Sequence, residues 1–201
     1  DARAVAARRQ RCGYRPVNPL APPDVAIPAA APASRREIFA WAMYDFANSG
    51  YTTVVLTAIY SAYFVGVVAR ANGADSGTAT LLWTLAMGVT NFLVLASAPV
   101  VGAIADHRAW KKRFLLVTTV GCVGFTAALG FAGPGDIGTA LVLVILASIM
   151  FASGENLIAS FLPEIARQKN MGRISGYGWT LGYIGGLLVL GLCLLYIAWA
   201  E

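Results

Sequence analysis

The sequence predicts an all-α, polytopic membrane protein, on the basis of its composition, its long apolar stretches and two acidic residues inside them. Hydrophobic residues make up 58% of the 201 residues and charged residues only 12%, whereas a soluble domain has about 25% charged residues. Five apolar stretches reach the length of about 20 residues that a helix needs to cross the hydrocarbon core. Asp45 and Glu155 lie inside two of these stretches, and a carboxylate there faces protein or water rather than lipid.

Residues 1–37 precede the first apolar stretch and differ from it in composition. They contain six of the nine prolines and seven arginines, and they include no apolar run of signal-peptide length. A segment of this kind cannot bury enough apolar surface to offset its ordering entropy. We therefore expect a disordered, basic, Pro/Ala-rich cytoplasmic tail.

The remaining residues, 38–201, divide into five predicted transmembrane helices. The first lies within 38–69, and the others cover 81–105, 114–132, 139–162 and about 176–200. Interior glycine and proline, such as Pro99, are tolerated in membrane helices because neighbouring groups satisfy the freed backbone. The first stretch is longer than a membrane core requires, so Asp45 lies either at the inner interface or deeper. Glu155 is about 10 Å from the cytoplasmic end of the fourth helix.

The basic residues fall almost entirely on one side of this arrangement. Fourteen of the fifteen lie in the tail and in the 106–113 and 163–175 loops, and one lies in the 70–80 loop. Because Lys and Arg are enriched in cytoplasmic loops, the tail and those two loops are predicted to be cytoplasmic. The same distribution argues against a nucleic-acid-binding face. Five spans leave the C-terminus outside, so we expect the chain to be an N-terminal fragment followed by further helices.

Polar residues share helix faces in the first and fourth predicted helices. On the fourth helix, Ser148 and Glu155 are seven residues apart, with Asn156 at the edge of their face. Helical spacing also relates five residues of the first helix: Trp41, Tyr44, Asp45, Asn48 and Thr52. Both helices therefore line something polar. For Asn91 and Ser160, a hydrogen bond that only holds helices together is an equal alternative.

The fifth predicted helix carries a stripe of glycines. Gly178, Gly182 and Gly186 recur every four residues, with Gly185 beside them. Small residues along one stripe let two helix backbones approach closely. We therefore predict that these glycines pack against another helix.

Residues that would support catalysis or metal binding are sparse. An intramembrane aspartyl protease needs a partner acid for Asp45, but only Glu155 is available and no second Asp-bearing motif follows. A serine enzyme fails because the single histidine, His107, lies in a loop. We expect no enzymatic activity, no metal and no cofactor, since the cysteines are too widely spaced for a metal or disulfide pattern: Cys12, Cys122 and Cys193.

Four segments resemble one transporter family. GAIADHRAWKKR at 102–113 resembles the major facilitator signature of a glycine, an acid four residues later and a basic cluster, although His107 and Ala109 stand where arginine and glycine are usual. Three further segments are WAMYDFANS at 41–49, FLPEIA at 161–166 and ISGYGWTLGYIGG at 174–186. Together they resemble the major facilitator branch that groups vacuolar amino-acid effluxers of autophagy with bacterial permeases.

The resemblance implies twelve helices in two six-helix halves, each built from inverted three-helix repeats around a mid-membrane site. The first and fourth helices would open the two repeats of the N-terminal half. The implied function is a secondary active transporter, or permease, of small solutes by alternating access, with amino-acid efflux as the specific expectation. The alternative is a non-transporting membrane scaffold or sensor with a transporter-like fold.

Within that family plan we assign a substrate and proton pathway, in which carboxylates bind a substrate ammonium or take up a proton. The pathway residues are Trp41, Tyr44, Asp45, Asn48, Asn91, Glu155, Asn156, Trp179 and Tyr183. A cytoplasmic gate is assigned to six residues, with Glu164 and Arg173 pairing with Arg108 or Lys112: Gly102, Asp106, Arg108, Lys112, Glu164 and Arg173.

The expected partners are the lipid bilayer, a small-molecule substrate with protons, and missing C-terminal helices of the same protein, without nucleic acid. The expected location is an integral position in the plasma (inner) membrane of a bacterium or the vacuolar membrane of a fungus.

The predicted orientation is testable by labelling single cysteines in intact cells. A cysteine replacing Asp136, in a background without Cys12, Cys122 and Cys193, should react with an impermeant maleimide before the cells are opened, because its loop is outside. A cysteine replacing Lys112 should react only after permeabilisation. The reverse pattern would invert the topology.

Overall fold

The computed structural model describes residues 34–107, 110–166 and 169–200, and these residues form helices and short connections without any strand. This confirms the predicted all-α class. The predicted disordered tail lies outside the described residues, apart from its last four positions. The 106–113 loop, likewise, is described only in part.

Five spans within the described residues are long and apolar enough to cross a membrane. All five begin earlier than predicted, and in spans 1, 2, 3 and 5 the first turn includes polar residues. We number them spans 1 to 5: Arg35–Asn72, Ser76–Ala105, Lys111–Phe131, Ile137–Ile165 and Met171–Ala200.

Span 1 begins with a capping box that explains its early start. The Ser34 side chain accepts a hydrogen bond from the Glu37 backbone N–H at 3.2 Å, and the Glu37 carboxylate accepts one from the Ser34 N–H at 2.7 Å. This reciprocal pair satisfies backbone donors that the first helical turn leaves free. The α-helix therefore starts at Arg35, ahead of the predicted start at 38.

Span 1 then changes its winding several times. The α-helix Arg35–Gly50 passes into a π-helix at Tyr51–Ala58, a short α-helix at Ile59–Tyr63 and a second π-helix at Phe64–Val68. A 3₁₀ turn, Arg70–Asn72, ends the span. The periodicity of the sequence did not predict this alternation.

The other spans are more regular. Span 2 lies in one helix, Ser76–His107, which includes Pro99. Span 3 is the helix Lys111–Ala128 with a final turn at Leu129–Phe131, and span 4 is Ile137–Ala159 followed by the short helix Leu162–Ile165. Span 5 is the single helix Met171–Ala200.

Asp75 caps the start of span 2 at the predicted outer surface. Its carboxylate accepts hydrogen bonds from the Thr78 hydroxyl at 2.5 Å and from the backbone N–H of Gly77 at 2.9 Å. The bonds from Thr78 and then Gly77 lower the pKa of Asp75 below its ordinary value. The acid therefore stays charged at neutral pH, where it complements the positive end of the helix dipole.

The spans pack in pairs, with span 1 against span 5, span 3 against span 4, and span 2 against span 4. Two buried clusters fill the spaces between them. One centres on Tyr51, Val55 and Val144 of spans 1 and 4, and the other on Phe64 and Val68 of span 1. Because both clusters contain residues of span 1, this span connects the rest of the bundle.

A hydrogen-bonded tie joins the two described loops at the predicted outer side. Asn72 Nδ2 donates to the Gly135 carbonyl at 2.6 Å, and the Gly135 N–H donates to the Val68 carbonyl at 3.1 Å. Gly135 has a φ of +91°, which glycine adopts without a steric penalty. The tie fixes the outer end of span 1 beside the start of span 4.

The glycines of span 5 lie in the interface with span 1. Gly178, Gly182, Gly185 and Gly186 are all buried. A Cβ atom at Gly182 would lie 2.8 Å from both Asp45 Oδ2 and Ser49 Oγ, and one at Gly185 would overlap the Phe46 carbonyl. The absence of side chains therefore sets the distance between these two spans.

The glycine interface predicts that adding one methyl group lowers stability at the contact with span 1 and not elsewhere in span 5. Gly185→Ala should lower the free energy of unfolding by about 1–3 kcal/mol, because the Phe46 backbone cannot move aside as a side chain would. Gly191→Ala in the same span should stay within about 0.5 kcal/mol of the parent, since no atom lies within 4 Å of its Cβ. Thermal melting in detergent compares the two variants, and equal melting temperatures would contradict the packing described.

Candidate functional site

A cleft between spans 1, 4 and 5 brings together the two acids that the sequence places in membrane helices. It has a volume of about 450 Å³. Span 4 contributes Glu155, and span 1 contributes Asp45 and three hydroxyl side chains. The full lining is Asp45, Ser49, Thr52, Thr53, Glu155, Trp179, Gly182, Tyr183 and Leu187. We call it the acid cleft.

Glu155 is held by a direct hydrogen bond across the spans. Asn48 Nδ2 donates to Glu155 Oε1 at 2.5 Å. A hydrogen bond to a carboxylate is stronger than one between neutral groups, because the acceptor is charged. Asn48 therefore fixes one oxygen of Glu155 and leaves the other for a ligand or a proton.

Asp45 has a different environment from Glu155. It lies against Gly178 and Gly182 of span 5, where the missing side chains make room for its carboxylate. Neither acid is within ion-pair distance of a Lys, Arg or His among the described residues. A partly buried carboxylate without a cation beside it either binds a proton or attracts a positive ligand.

Two aromatic side chains of span 5 also line the acid cleft. Trp179 and Tyr183 lie one turn apart on span 5, with ring centroids 6.1 Å apart and planes inclined by 50°. Both remain 65% exposed, so their faces are accessible from the cleft. Aromatic faces attract cations, most strongly where water is excluded.

The other polar residues of span 1 point away from this cleft. Trp41 Nε1 donates to the Ile158 carbonyl at 2.9 Å, and the Tyr44 hydroxyl lies 3.3 Å from Thr119 Oγ1. Tyr44 and Asn48 line a separate, mainly apolar cavity of about 520 Å³ beside span 3. Four of the five residues predicted to share one face of span 1 thus line two different cavities, with Asn48 linking them through its bond to Glu155. Trp41 lines neither.

The two remaining asparagines of the predicted pathway lie elsewhere. Asn156 is exposed and lines a smaller cavity of about 120 Å³ between spans 2 and 4, together with Gly102, Ser160 and Lys111. Asn91 is exposed on span 2 and lines none of the cavities described here. The structure therefore does not bring Asn91 to the acids.

The ends of the spans that are predicted to be cytoplasmic are joined by an ion pair different from those predicted. Lys111 Nζ lies 2.7 Å from Glu164 Oε1, and it also lies 5.8 Å from the Phe161 ring centroid. Lys111 is the first residue of the helix in span 3, which brings its side chain, rather than that of exposed Lys112, to the end of span 4. Arg173 instead donates through Nε to the Tyr177 hydroxyl at 2.8 Å.

Two other members of the predicted gate lie at the limits of the described chain. Arg108 is outside the described residues. Asp106 belongs to the helix of span 2, but its side chain is outside the described part. Their proposed roles therefore remain predictions.

Sequence reasoning missed Ser49, Thr53 and Lys111. Ser49 lies one helical turn after Asp45, so the same periodicity argument would have found it. Thr53 lies within the π-helix, where α-helical spacing does not apply. Lys111 could not be separated from its basic neighbours, because the choice depends on where the helix of span 3 begins.

The chemistry available at the cleft is binding and proton exchange. Within the described residues, no three His, Cys, Asp or Glu side chains are grouped closely enough to hold a metal ion. The hydroxyl groups of Ser49 and Thr53 donate to backbone carbonyls one turn earlier, at 2.8 and 3.0 Å.

Comparisons of the sequence with known proteins give two matches. The family model described as vacuole effluxer Atg22 like matches residues 78–200. An uncharacterized MFS-type transporter, YxiO, from Bacillus subtilis (strain 168), is 32% identical over 165 residues, which cover 80% of this chain and 38% of the relative. The chain thus spans well under half the length of that protein. No solved structure matches the chain significantly.

The hydrogen bond between Asn48 and Glu155 predicts that substitutions at the two positions change the free energy of unfolding non-additively. Asn48→Leu should lower the free energy of unfolding by about 1–3 kcal/mol, because it leaves the carboxylate without its donor. Tyr51→Phe, which removes a neutral hydroxyl pair with Ser148 at 2.8 Å, should cost about 0.6 kcal/mol.

Combining Asn48→Leu with Glu155→Leu supplies the control for that measurement. The double variant should recover part of the loss, since no buried carboxylate then lacks a partner. Purely additive losses, measured by melting in detergent, would show that the two side chains do not interact.

Proposed function

The chain belongs to the Atg22-like vacuole effluxer family of major facilitator transporters, and on that premise we propose that the whole protein is a secondary active transporter of small solutes working by alternating access. It is a transporter rather than an enzyme. The chain contributes an integral membrane bundle of five spans. The acid cleft is the single observation that carries the proposal, because it places two carboxylates at an accessible cavity between spans.

The cleft favours a substrate that carries a positive charge. Asp45 and Glu155 supply negative charge, and among the described residues no cationic side chain lines the cavity. The hydroxyl groups of Ser49 and Thr52 add hydrogen-bonding capacity. An ammonium group is the simplest match for this lining, which supports a small amino compound, and amino-acid efflux in particular, as the transported class.

The two acids have separate roles in this proposal. Glu155, with one oxygen already bound by Asn48, exchanges protons and couples the cycle to a proton gradient. Asp45, which has no hydrogen-bond donor among the described residues, contacts the ammonium of the substrate. The distinction follows from the partners: Glu155 has a fixed geometry, while Asp45 is free to meet a ligand.

The ion pair between Lys111 and Glu164 acts as a cytoplasmic latch in the same cycle. Glu164 is 55% exposed and Lys111 18% exposed, so water screens the pair. Exposed ion pairs contribute about 0–1 kcal/mol. A contact of this strength suits a gate, because it biases one conformation without preventing the other. Asp106 and Gly102 belong to the same gate in the family plan.

The roles of the acids are tested with the full-length protein in proteoliposomes. Glu155→Gln should abolish proton-driven uptake of radiolabelled alanine at every pH while sparing counterflow, because an amide still accepts the Asn48 bond but carries no titratable proton. Asp45→Asn should reduce uptake and counterflow together by at least about tenfold, a loss of about 1.4 kcal/mol in binding.

Asp75→Asn is the matched control, since Asp75 lies outside the spans and asparagine also caps helices. It should leave both activities unchanged. Retained pH dependence in Glu155→Gln would remove its coupling role. Normal counterflow in Asp45→Asn would leave that acid as a structural group. Absence of flux for all amino compounds in the parent protein would favour a scaffold or sensor.

A further inference from the structure

Span 1 contains a short α-helical piece, Ile59–Tyr63, between two π-helical segments. We call it the middle piece. The wide turns are evident in the hydrogen bonds: the Ile59 N–H donates to the Val54 carbonyl, and the Ala69 N–H donates to the Phe64 carbonyl at 2.9 Å, each five residues back. Such turns hold one residue more than α-helical turns and are frequent at functional sites.

The two flanks of this region are firmly anchored. On the inner side, Tyr51 is 8% exposed and its hydroxyl lies 2.8 Å from Ser148 Oγ of span 4. On the outer side, Phe64 is fully buried in a cluster with Val68 and Ala79. Neither flank can shift without breaking these contacts.

The middle piece itself is loosely packed. None of its five residues is buried, although it lies between two anchored segments. A cavity of about 350 Å³ borders it on the side of span 3 and is lined by Ile59, Tyr60 and Tyr63, among others. The middle piece therefore has space into which it can turn.

Tyr60 gives a second indication that the observed register has an alternative. Its ring lies 6.2 Å from the Trp83 ring, but its hydroxyl is buried without a hydrogen-bond partner among the described residues. A buried hydroxyl without a partner is unfavourable compared with one that is hydrated or bonded. The ring is thus well placed in this register and the hydroxyl is not.

We propose that span 1 carries a register switch, in which the middle piece turns by one residue while Tyr51 and Phe64 stay in place. Winding Tyr51–Ala58 into an α-helix rotates the middle piece by about 100° and moves it by about 1.5 Å. A wide turn between Tyr60 and Phe64 takes up the extra residue, so Phe64 keeps its place. Ile59 then occupies the place of Tyr60 against Trp83.

The switch connects the acid cleft with the outer half of the bundle. Thr52 and Thr53 belong to the first π-helical segment and also line the cleft beside Asp45. Rewinding this segment changes their positions relative to Asp45, so a ligand that prefers one arrangement shifts the register. The switch is a property of the fold, and its test requires no transport.

The test is cross-linking of cysteine pairs in the membrane-embedded, full-length protein with all native cysteines replaced. Trp83→Cys is combined in turn with Ile59→Cys, Tyr60→Cys and Ser61→Cys, and a short bifunctional thiol reagent is added. The switch predicts links at 60/83 and 59/83, with the 59/83 yield several-fold above that of 61/83. A link at 60/83 alone would show a static helix, and equal links at 59/83 and 61/83 would show unspecific mobility; either result overturns the switch.

Deleting Thr57 is a second, independent variant. The deletion removes the extra residue of the first π-helical segment, so Tyr51 and Phe64 keep their register. Without that residue, the middle piece has no second register to adopt. The 59/83 link should then disappear while 60/83 persists, and the persisting link shows that the variant is folded. An unchanged 59/83 yield would overturn the proposal.

A regular helix contact provides the matched control for reagent reach. Met150 of span 4 lies beside Gly121 of span 3, and span 4 is α-helical there. With Gly121→Cys as the common partner, Met150→Cys should link, and Ile149→Cys and Phe151→Cys should not. This contrast shows that the reagent distinguishes one residue from its neighbours, as the pairs with position 83 require.

Discussion

The close contact between spans 1 and 5 is the constraint on which the acid cleft depends. Gly182 and Gly185 allow the backbones to approach until Asp45, Ser49 and the Phe46 carbonyl lie directly against the glycines. Without a hydrophobic driving force between helices in lipid, such contact is stabilised by packing. The same absence of side chains leaves room for the carboxylate of Asp45. One sequence feature, a glycine stripe, thus determines both the packing and the site.

Placing two carboxylates in this environment carries a desolvation cost that the structure offsets unequally. Glu155 receives a hydrogen bond from Asn48, whereas Asp45 is accommodated by space alone. A bundle that needed only interhelical hydrogen bonds could use amides, which have no charge to desolvate. The presence of two acids beside an open cavity therefore supports a role in binding charged species.

Span 1 combines rigid and adaptable parts along a single membrane crossing. Its first α-helix packs on the glycines of span 5, and its C-terminal end is held by Phe64, Val68 and the tie from Asn72 to Gly135. Between them the helix widens into π-helical turns beside two cavities. Hydrophobic periodicity cannot predict this change, because an apolar stretch shows no period that would distinguish an α-helix from a π-helix.

The sequence by itself determined the five spans, the glycine stripe and the presence of two intramembrane acids, because bilayer thickness and the cost of burying charge act on local composition. Only the tertiary structure decided which polar residues meet. It placed Tyr44 beside a different cavity from the cleft that Asp45 lines, and it connected Asn48 to that cleft through Glu155. It also excluded Asn91 and paired Glu164 with Lys111. These outcomes depend on helix rotation, helix starts and π-helical turns, which follow from packing between distant segments and leave no trace in local periodicity.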